Sequence, residues 1–309
     1  SDVCSSDLGA GVTGASTIDF LKSQGSVVHI VDEKVETPEV HHSLEKLDLS
    51  RIYCAVVSPG WQKDHPFIEV IRKNGIEIIS EIDLAWRVKL QTAPDQRWLA
   101  LTGTNGKTTT VQMAEAILRE SGFDATACGN VGFTAIEAVT KTESEILIIE
   151  LSSFQLEWSH EARFETVAIL NIAEDHIDWH KSFENYAAAK FRITENAQCV
   201  ILNSHDAEIV KRARSISHRI VWFSLDTPAL HEIGLVENLI VDRAFIAEEA
   251  EALFELADLT PAVPHNVLNA MAAAGLARSV GARAESVARA IKNFKLDHHR
   301  LEIVAEKDG

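Results

Sequence analysis

The stretch that decides the fold is WLALTGTNGKTTT at residues 98–110. An apolar run of strand length leads into a turn that contains Gly103 and Gly106, and a helical pattern then continues to Gly122, a residue typical of helix ends. In such a strand–turn–helix unit the glycines let backbone N–H groups point inward, and the helix dipole adds partial positive charge. The sequence therefore predicts a phosphate-binding turn.

This turn departs from the standard phosphate-binding loop. The pattern G-x-x-x-x-G-K-[ST] requires a glycine five positions before Gly106, where this chain has Leu101. Lys107 is nonetheless placed to reach the outer phosphates as a point charge, and the Thr108 hydroxyl is placed to bind Mg²⁺. Because both flanking elements are predicted, we interpret the turn as a variant phosphate-binding loop.

Composition argues against nucleic-acid and membrane partners. The 309-residue chain has a net charge of −17 and no long basic run, whereas sequence-independent binding of nucleic acid needs a Lys/Arg surface. Its longest apolar runs are strand-sized, and no signal peptide is recognisable. Four scattered cysteines without a C-x-x-C pair indicate a reducing compartment. We expect a cytoplasmic α/β protein with no nucleic-acid partner and no membrane insertion.

Two blocks of alternating strands and helices are predicted, joined by a polar segment at residues 91–97. Such alternation is typical of doubly wound parallel sheets. The predicted strands lie at 26–32, 53–60 and 75–81 in the first block and at 98–103, 145–151, 166–172, 199–203 and 220–224 in the second. The expected architecture is a Rossmann-like N-terminal domain at residues 1–93, a P-loop-type parallel-sheet ATPase domain at 94–297, and the start of a further domain at 298–309.

The first block opens on a glycine motif without a recognisable feeding strand. GAGVTG at residues 9–14 has the form G-x-G-x-x-G, and Asp32 follows Gly14 by 18 residues (32 − 14), close to the dinucleotide fingerprint. On its own this weak motif favours an NAD-dependent oxidoreductase. The polar segment SDVCSSDL at residues 1–8 is expected to make a poor strand, so we interpret it as foreign to the natural chain and leave it out of the fold prediction.

Acidic and histidine side chains are predicted at one edge of the second sheet. Glu150 ends an apolar strand, and NIAEDHIDWH at residues 171–180 places Asn171, Asp175 and His176 beyond the next strand. Carboxylates with a neutral histidine suit Mg²⁺ or Mn²⁺, or contact with a substrate. A purely structural role for His176 stays equally open.

Six motifs together resemble the Mur ligase family. GTNGKTTT, ELSSFQLE, NIAEDHIDWH, AAAKFRI, HNVLNA and HHRLE occur in that order, and the likeness runs over residues 9–306. The short T-G-T-N-G-K-[ST] loop is similar to the family's variant. The resemblance implies an ATP-dependent ligase of peptidoglycan precursor synthesis, and SSFQLE resembles the members that add D-glutamate to UDP-N-acetylmuramoyl-L-alanine through an acyl phosphate. It further implies two Mg²⁺ ions, with Mn²⁺ as an alternative, and a monomer.

The resemblance also assigns residue roles. The implied catalytic residues are Lys107, Glu150, His176 and Lys190, and the implied metal ligands are Thr108, Glu150, His176 and Lys190, the last as a carbamate formed with CO₂. The implied ATP contacts are Gly103, Thr104, Asn105, Gly106, Lys107, Thr108, Thr109, Asn266, Asn269 and Arg300. The implied UDP-substrate contacts are Val12, Thr13, Asp32, Lys34, Ser58, Gly60, Asn130, Ser152, Phe154, Gln155 and His176.

Three points qualify these assignments. From the residues alone, Lys190 reads as a surface lysine on a helix, and Asn266 and Asn269 read as helix-capping residues. Lys34 stands where the family usually has arginine, so the contact loses the planar guanidinium fork. The family has a third domain beyond HHRLE, and this chain stops at Gly309. We therefore expect the chain as given to bind the UDP substrate but not to ligate.

Other functions remain open at this point. Another Mur ligase or a folylpolyglutamate synthase would share the loop, although SSFQLE and the first glycine motif favour a UDP substrate over folate. A nucleotide-binding switch or motor NTPase would instead hydrolyse ATP without an acceptor and would not bind UDP-sugars.

Overall fold

The structure is a computed structural model that describes residues 4–8, 12–246 and 249–295. In the first described part, five strands form one parallel sheet in the order β3-β2-β1-β4-β5. Its elements are β1 Cys4–Leu8, α1 Val12–Ser23, β2 Val28–Val31, β3 Val40–His41, β4 Ile52–Val57, α2 Pro66–Lys73, β5 Glu77–Ser80 and α3 Glu81–Thr92.

The second described part contains a larger sheet, in the order β14-β13-β12-β11-β10-β9-β6-β8-β7. Strands β6 to β12 are mutually parallel, whereas β13 and β14 pair antiparallel at one edge. The elements are β6 Arg97–Thr102, α4 Lys107–Glu120, β7 Ala125–Gly129, α5 Ala135–Lys141, β8 Ile146–Glu150, α6 Ser153–Trp158, β9 Phe164–Ile169, α7 Ile177–His180, α8 Phe183–Phe191, β10 Ala197–Asn203, α9 Ala207–Ala213, β11 Arg219–Phe223, β12 Glu232–Val236, β13 Leu239–Asp242, β14 Glu251–Glu255, α10 Pro264–Ser279 and α11 Ala284–Asn293.

The α/β fold with mostly parallel sheets is confirmed, and its cause is visible in the central strands. Every residue of β8 is buried, because helices cover both faces of the sheet and the strand is apolar on both sides. On one face α4 packs against α10 and α11, and Leu99, Ile117 and Ala273 are fully buried in the core they share.

The expectation that residues 1–8 would make a poor strand was wrong. Cys4–Leu8 forms β1 at the centre of the first sheet, in parallel register with β2 on one side and β4 on the other. Strand pairing depends on backbone hydrogen bonds, which do not require apolar side chains. The glycine motif is thus fed by a strand, although residues 9–11 of that motif lie outside the described residues.

The two sheets are joined by a buried polar contact at the start of α3. The Asp83 carboxylate accepts hydrogen bonds from the backbone N–H groups of His160, Glu161 and Ala162 at 2.9–3.2 Å. Two residues earlier, Glu81 accepts from the Ile136 N–H at 2.6 Å. Apolar side chains of α3 and α5 share one core around these bonds, so the two halves of the chain form one packed unit.

None of the helices in the described ranges has both the length and the apolar character that crossing a bilayer requires.

Candidate active site

The turn between β6 and α4 is organised by its own lysine. Lys107 Nζ donates to the carbonyl oxygens of Gly103 and Thr104 at 2.9 and 3.0 Å, which curls the turn around the amine. Gly106 is the N-cap of α4 with φ +83°, in the left-handed region. Thr108 lies in the first turn of α4, and Thr109 beside it is buried. The start of α4 therefore presents backbone donors and a cation together.

Asn171 holds the turn from the neighbouring strand end. Its side-chain oxygen accepts from the Asn105 N–H at 2.8 Å, and its side-chain nitrogen donates to the Asn105 carbonyl at 3.0 Å. Thr104 is fixed by the Tyr186 hydroxyl at 2.9 Å. Sequence reasoning placed Asn171 at this edge but gave it no role, and it missed Tyr186, whose only sequence signal is its position one helical turn before Lys190.

Lys190 lies in the site rather than on the surface. It is 2% exposed, and its Nζ donates to the Gly103 carbonyl at 2.8 Å, the oxygen that also accepts from Lys107. Burial, and secondarily the positive charge of Lys107, lowers the pKa of Lys190 to about 7. A substantial share of this amine is therefore neutral near neutral pH, which is the form that reacts with CO₂.

Glu150 lies at the same sheet edge. Its strand β8 pairs with β6 so that Glu150 stands opposite Leu101, two residues before Gly103. The side chain is 1% exposed, and one oxygen accepts from the Asn130 side-chain nitrogen at 3.3 Å. The other oxygen, Oε2, is buried and has no hydrogen-bond partner among the described residues. A buried carboxylate oxygen without a donor suits a cation.

His176 lies at the rim of this region. Its backbone is left-handed, with φ 51°, and its half-exposed ring contacts Phe154 at 4.8 Å between centroids. Its neighbour Asp175 is close enough to Lys190 to raise the pKa of that lysine. The structure thus brings Lys107, Lys190 and Glu150 together in the interior and leaves His176 beside them at the surface.

The residues present fit a magnesium site. Among the described residues no three His, Cys, Asp or Glu side chains form a ready-made cation cage. Mg²⁺, however, is commonly held by one or two carboxylates together with substrate phosphates and water. The unpartnered oxygen of Glu150 and the position of Thr108 match that requirement.

A cavity of about 410 Å³ adjoins the turn on the side of α10. Asn269 closes on the turn here, since a Cβ at Gly106 would lie 2.3 Å from the Asn269 side-chain oxygen. The cavity is lined by Asn105, Gly106, Leu170, Asn171, Asn203, Phe223, His265, Leu268 and Asn269. Asn266 is absent from this lining, and its amide donates to the Pro261 carbonyl at 2.9 Å. Arg300 lies outside the described residues.

A second cavity, of about 460 Å³, lies at the edge of the first sheet. It collects the predicted UDP-binding positions Thr13, Asp32, Lys34, Ser58 and Gly60, which come from three separate segments. Val12 begins α1 beside it. The remaining lining residues are Glu33, Pro59, Trp61, Gln62 and His65. Sequence reasoning missed Trp61, although it directly follows the SPG turn that was singled out.

Asp32 shapes its own loop in this cavity. One of its carboxylate oxygens accepts from the Lys34 N–H at 2.7 Å and from the Val35 N–H at 3.1 Å. The turn after β2 is thereby fixed with the Lys34 side chain lining the cavity. An acidic and a basic residue therefore both line this cavity.

Ser152 and Gln155 have a structural role in the described protein. Ser152 is the N-cap of α6, and the two residues form a capping box in which each side chain bonds the other's backbone N–H at 3.2 and 2.9 Å. Phe154, between them, contacts the rings of His176, Trp179 and His180. The predicted contact of Ser152 and Gln155 with a substrate stays a prediction.

Comparison with known proteins gives consistent matches. The Mur ligase middle domain model matches residues 101–277, and the model of the Mur ligase MurD-like N-terminal domain matches residues 7–80. The UDP-N-acetylmuramoylalanine–D-glutamate ligase of Thermobifida fusca is 46% identical over 82% of this chain and 56% of the relative. The enzyme of the same name from Streptomyces coelicolor is 39% identical over 97% of this chain and 69% of the relative.

Solved structures show the same fold. A UDP-N-acetylmuramate:L-alanyl-gamma-D-glutamyl-meso-diaminopimelate ligase from Neisseria meningitides aligns with a TM-score of 0.64 at 16% identity, over 96% of this chain and 99% of that one. The UDP-N-acetylmuramate–alanine ligase of Thermotoga maritima aligns with a TM-score of 0.54 at 19% identity, over 99% and 71%.

The chain spans a little over half of the Thermobifida relative and about two thirds of the Streptomyces relative. The middle-domain model alone covers more than half of the chain and contains the residues of the phosphate turn, and the N-terminal model contains the cavity of the first sheet. The chain belongs to the Mur ligase family.

Proposed function

We propose that this chain carries the UDP-substrate and ATP sites of an ATP-dependent ligase that joins D-glutamate to UDP-N-acetylmuramoyl-L-alanine. The observation that carries the proposal is that Lys107 and Lys190 donate to the same Gly103 carbonyl, at the sheet edge where a buried oxygen of Glu150 has no hydrogen-bond partner within the described ranges. The domain limits 1–93, 94–297 and 298–309, a monomeric state and a cytoplasmic location belong to the same proposal.

The proposed reaction proceeds in two displacements. The alanine carboxylate attacks the γ-phosphorus of ATP, which releases ADP and leaves an acyl phosphate. The D-glutamate amine then attacks the acyl carbon, an amide bond forms, phosphate leaves and the amine nitrogen loses a proton. A carboxylate is a poor electrophile, and its conversion into a mixed anhydride makes its oxygen a leaving group.

The chain's residues have distinct parts in this proposal. Lys107 and the backbone N–H groups of the turn hold the phosphate chain, because they offer fixed positive charge where negative charge gathers. Thr108, Glu150, His176 and Lys190 as its carbamate would hold the divalent ions. When bound, Mg²⁺ neutralises charge as the two anions approach. Asn269 and its cavity would take the nucleoside part of ATP.

The two cavities support this assignment of substrates. Asp32 and Lys34 line a cavity at the first sheet that is large enough for a nucleotide, and an acid and a base there suit the polar edge of uracil and an anionic diphosphate. Asn130 follows β7, and its side-chain nitrogen donates to Glu150 at 3.3 Å; it is proposed to contact the alanine end of the substrate.

Calorimetry on the 309-residue chain tests the proposal. UDP-N-acetylmuramoyl-L-alanine should bind, while NAD and folate should not, and Lys34→Ala should weaken binding about tenfold by removing a charge from the cavity. Lys46→Ala, outside the cavity lining, is the matched control. Binding of NAD or folate in place of the UDP-sugar would contradict the proposal.

Two assays address the remaining alternatives. Phosphate release with D-glutamate, compared with L-lysine, meso-diaminopimelate and L-alanine, separates this activity from other Mur ligases, and ATP hydrolysis without any acceptor would favour a switch NTPase. The expectation that the 309-residue chain does not ligate stays a prediction, and the D-glutamate mixture tests it.

A further inference from the structure

The segment at residues 58–65, here called the strap, is held by the second half of the chain although it lines the cavity of the first. Two indole N–H groups donate to consecutive carbonyls of the strap. Trp179 Nε1 bonds the Gly60 carbonyl at 3.1 Å, and Trp158 Nε1 bonds the Trp61 carbonyl at 3.0 Å. The wall of the proposed UDP cavity is therefore fixed from α6 and α7.

Two ion pairs flank these bonds. Lys63 Nζ lies 2.5 Å from a Glu157 oxygen, and Lys181 pairs with Asp64. Lys181 immediately follows α7, and its backbone is left-handed with φ 67°. The strap thus contacts both the side and the end of α7.

Helix α7 depends on such contacts for its position. It has four residues, Ile177–His180, and both flanking residues, His176 and Lys181, are non-glycine residues in the left-handed region. A helix this short does not persist alone, and left-handed backbone at such residues persists only when the surroundings impose it. The strap supplies part of those surroundings.

Aromatic contacts continue from α7 to the phosphate turn. Trp179 lies 4.5 Å from His180 and 4.9 Å from Phe154, which also contacts His176. His180 lies 5.4 Å from the Tyr186 ring, and the Tyr186 hydroxyl bonds Thr104. A continuous set of packed groups therefore joins the strap to the turn.

We propose that Trp179 is a positioning residue that couples occupancy of the first cavity to the placement of His176 and the phosphate turn. A ligand that orders the strap holds the Gly60 carbonyl in place. The hydrogen bond to this carbonyl then holds the Trp179 indole, and with it α7. The UDP-sugar would then favour the arrangement that binds nucleotide, and by linkage the nucleotide would favour the UDP-sugar equally. This inference rests on the proposed function.

The test is a thermodynamic cycle on the whole chain. Calorimetry measures the affinity for ADP with Mg²⁺, with and without saturating UDP-N-acetylmuramoyl-L-alanine. We expect the UDP-sugar to tighten ADP binding about fivefold or more in the unaltered chain. Trp179→Phe keeps the ring but removes the N–H donor, and it should reduce this factor to below about twofold.

Control variants separate coupling from general damage. Trp222→Phe makes the same change in β11, away from the strap, and should retain the full factor. Should Trp179→Phe fail to fold, Lys181→Gln removes the surface ion pair between Asp64 of the strap and the end of α7, and it should also lower the factor.

The outcomes distinguish the two proposals. If neither ligand binds the unaltered chain, the proposed function itself fails. If both bind but independently, or if Trp179→Phe and Lys181→Gln keep the coupling factor while melting normally, the role of Trp179 is overturned.

Discussion

At the scale of single residues, the site is determined by a few side chains in unusual surroundings. Gly106 has a left-handed backbone and touches Asn269, and Lys190 is buried beside another lysine. The glycine and Lys107 could be predicted from the sequence, because a turn that wraps phosphate needs both. Burial of Lys190 could not be read from its helix, since it arises where α8 packs on the β6 edge, and only the family resemblance indicated its importance.

The conformation of Gly106 gives the first prediction. Gly106→Ala should weaken ADP binding at least tenfold, because the new Cβ would lie 2.3 Å from the Asn269 side-chain oxygen and would push this side chain out of its place in the cavity. Gly122→Ala at the other end of α4 has a similar φ, +90°, with nothing within 4 Å of its Cβ. That control carries only the backbone strain of about 1 kcal/mol and should bind ADP normally. Equal ADP affinities in calorimetry would refute the argument.

Glu81 gives a prediction about pH. Burial raises the pKa of Glu81 to about 7 in the folded chain, against an ordinary glutamate pKa of about 4.5. The stability associated with the protonated form is fully present below about pH 4.5 and is lost as the pH rises through about 7. Glu81→Gln stays neutral, so its free energy of unfolding relative to the unaltered chain should rise by roughly 3 kcal/mol between pH 4.5 and pH 8.

Urea unfolding at several pH values measures this difference. The groups that act on Glu81 are the N–H donors of Ile136 and Ala135 and the nearby Glu137. Glu69→Gln, an exposed glutamate on α2, serves as the control and should show no such trend. A pH-independent difference for Glu81→Gln would mean that the carboxyl titrates normally.

At the scale of elements, the apolar strands could be predicted from the sequence, whereas the short antiparallel strands and the polar strand β1 could not. Strands β8, β9 and β10 each contain a short apolar run (ILII, VAI and CVIL), which is typical of buried parallel strands. The antiparallel strands β13 and β14 were missed because Leu239–Asp242 and Glu251–Glu255 are short and weakly patterned. Strand β1 was misread, since its position between two strands depends on the sheet around it and not on its own composition.

The capping boxes at the start of α5 (Thr134 with Glu137) and of α6 allow a prediction that separates stability from binding. Ser152→Ala and Thr134→Ala each remove an N-cap side chain, from α6 and α5 respectively. Each should lower the free energy of unfolding by about 1 kcal/mol in urea titrations. Only Ser152→Ala should also weaken the binding of UDP-N-acetylmuramoyl-L-alanine measured by calorimetry, because Ser152 is a proposed contact of this ligand. Equal affinities in the two variants would leave Ser152 with its capping role alone.

At the scale of the whole molecule, the two sheets behave as one body because α3 is anchored in both. The pairing of separate α/β blocks was predictable from the linker at residues 91–97, but the way they dock was not. Asp83 reads as an ordinary helix-start acid, and its three backbone donors come from a loop more than seventy residues later. Long-range contacts of this kind have no local sequence signal.

Asp83→Ala tests how much these hydrogen bonds contribute to the stability of the folded chain. It would leave the N–H groups of His160, Glu161 and Ala162, of which that of Ala162 is buried, without their acceptor, and we expect a loss of about 1–3 kcal/mol in the free energy of unfolding. Asp19→Ala, an exposed aspartate on α1, should change it by less than about 0.5 kcal/mol. Similar urea midpoints for the two variants would show that the apolar core around α3 and α5 is sufficient to join the two sheets.

The lone oxygen of Glu150 has a consequence beyond chemistry at the site. Folding buries this atom without a hydrogen-bond donor from the described part of the chain, whereas in the unfolded chain the atom is hydrated. A divalent ion that settles there would favour the native chain by mass action, which a melting-temperature series in MgCl₂ without nucleotide measures. The free magnesium concentration around the protein would then govern how much of it stays intact, even while no substrate is present.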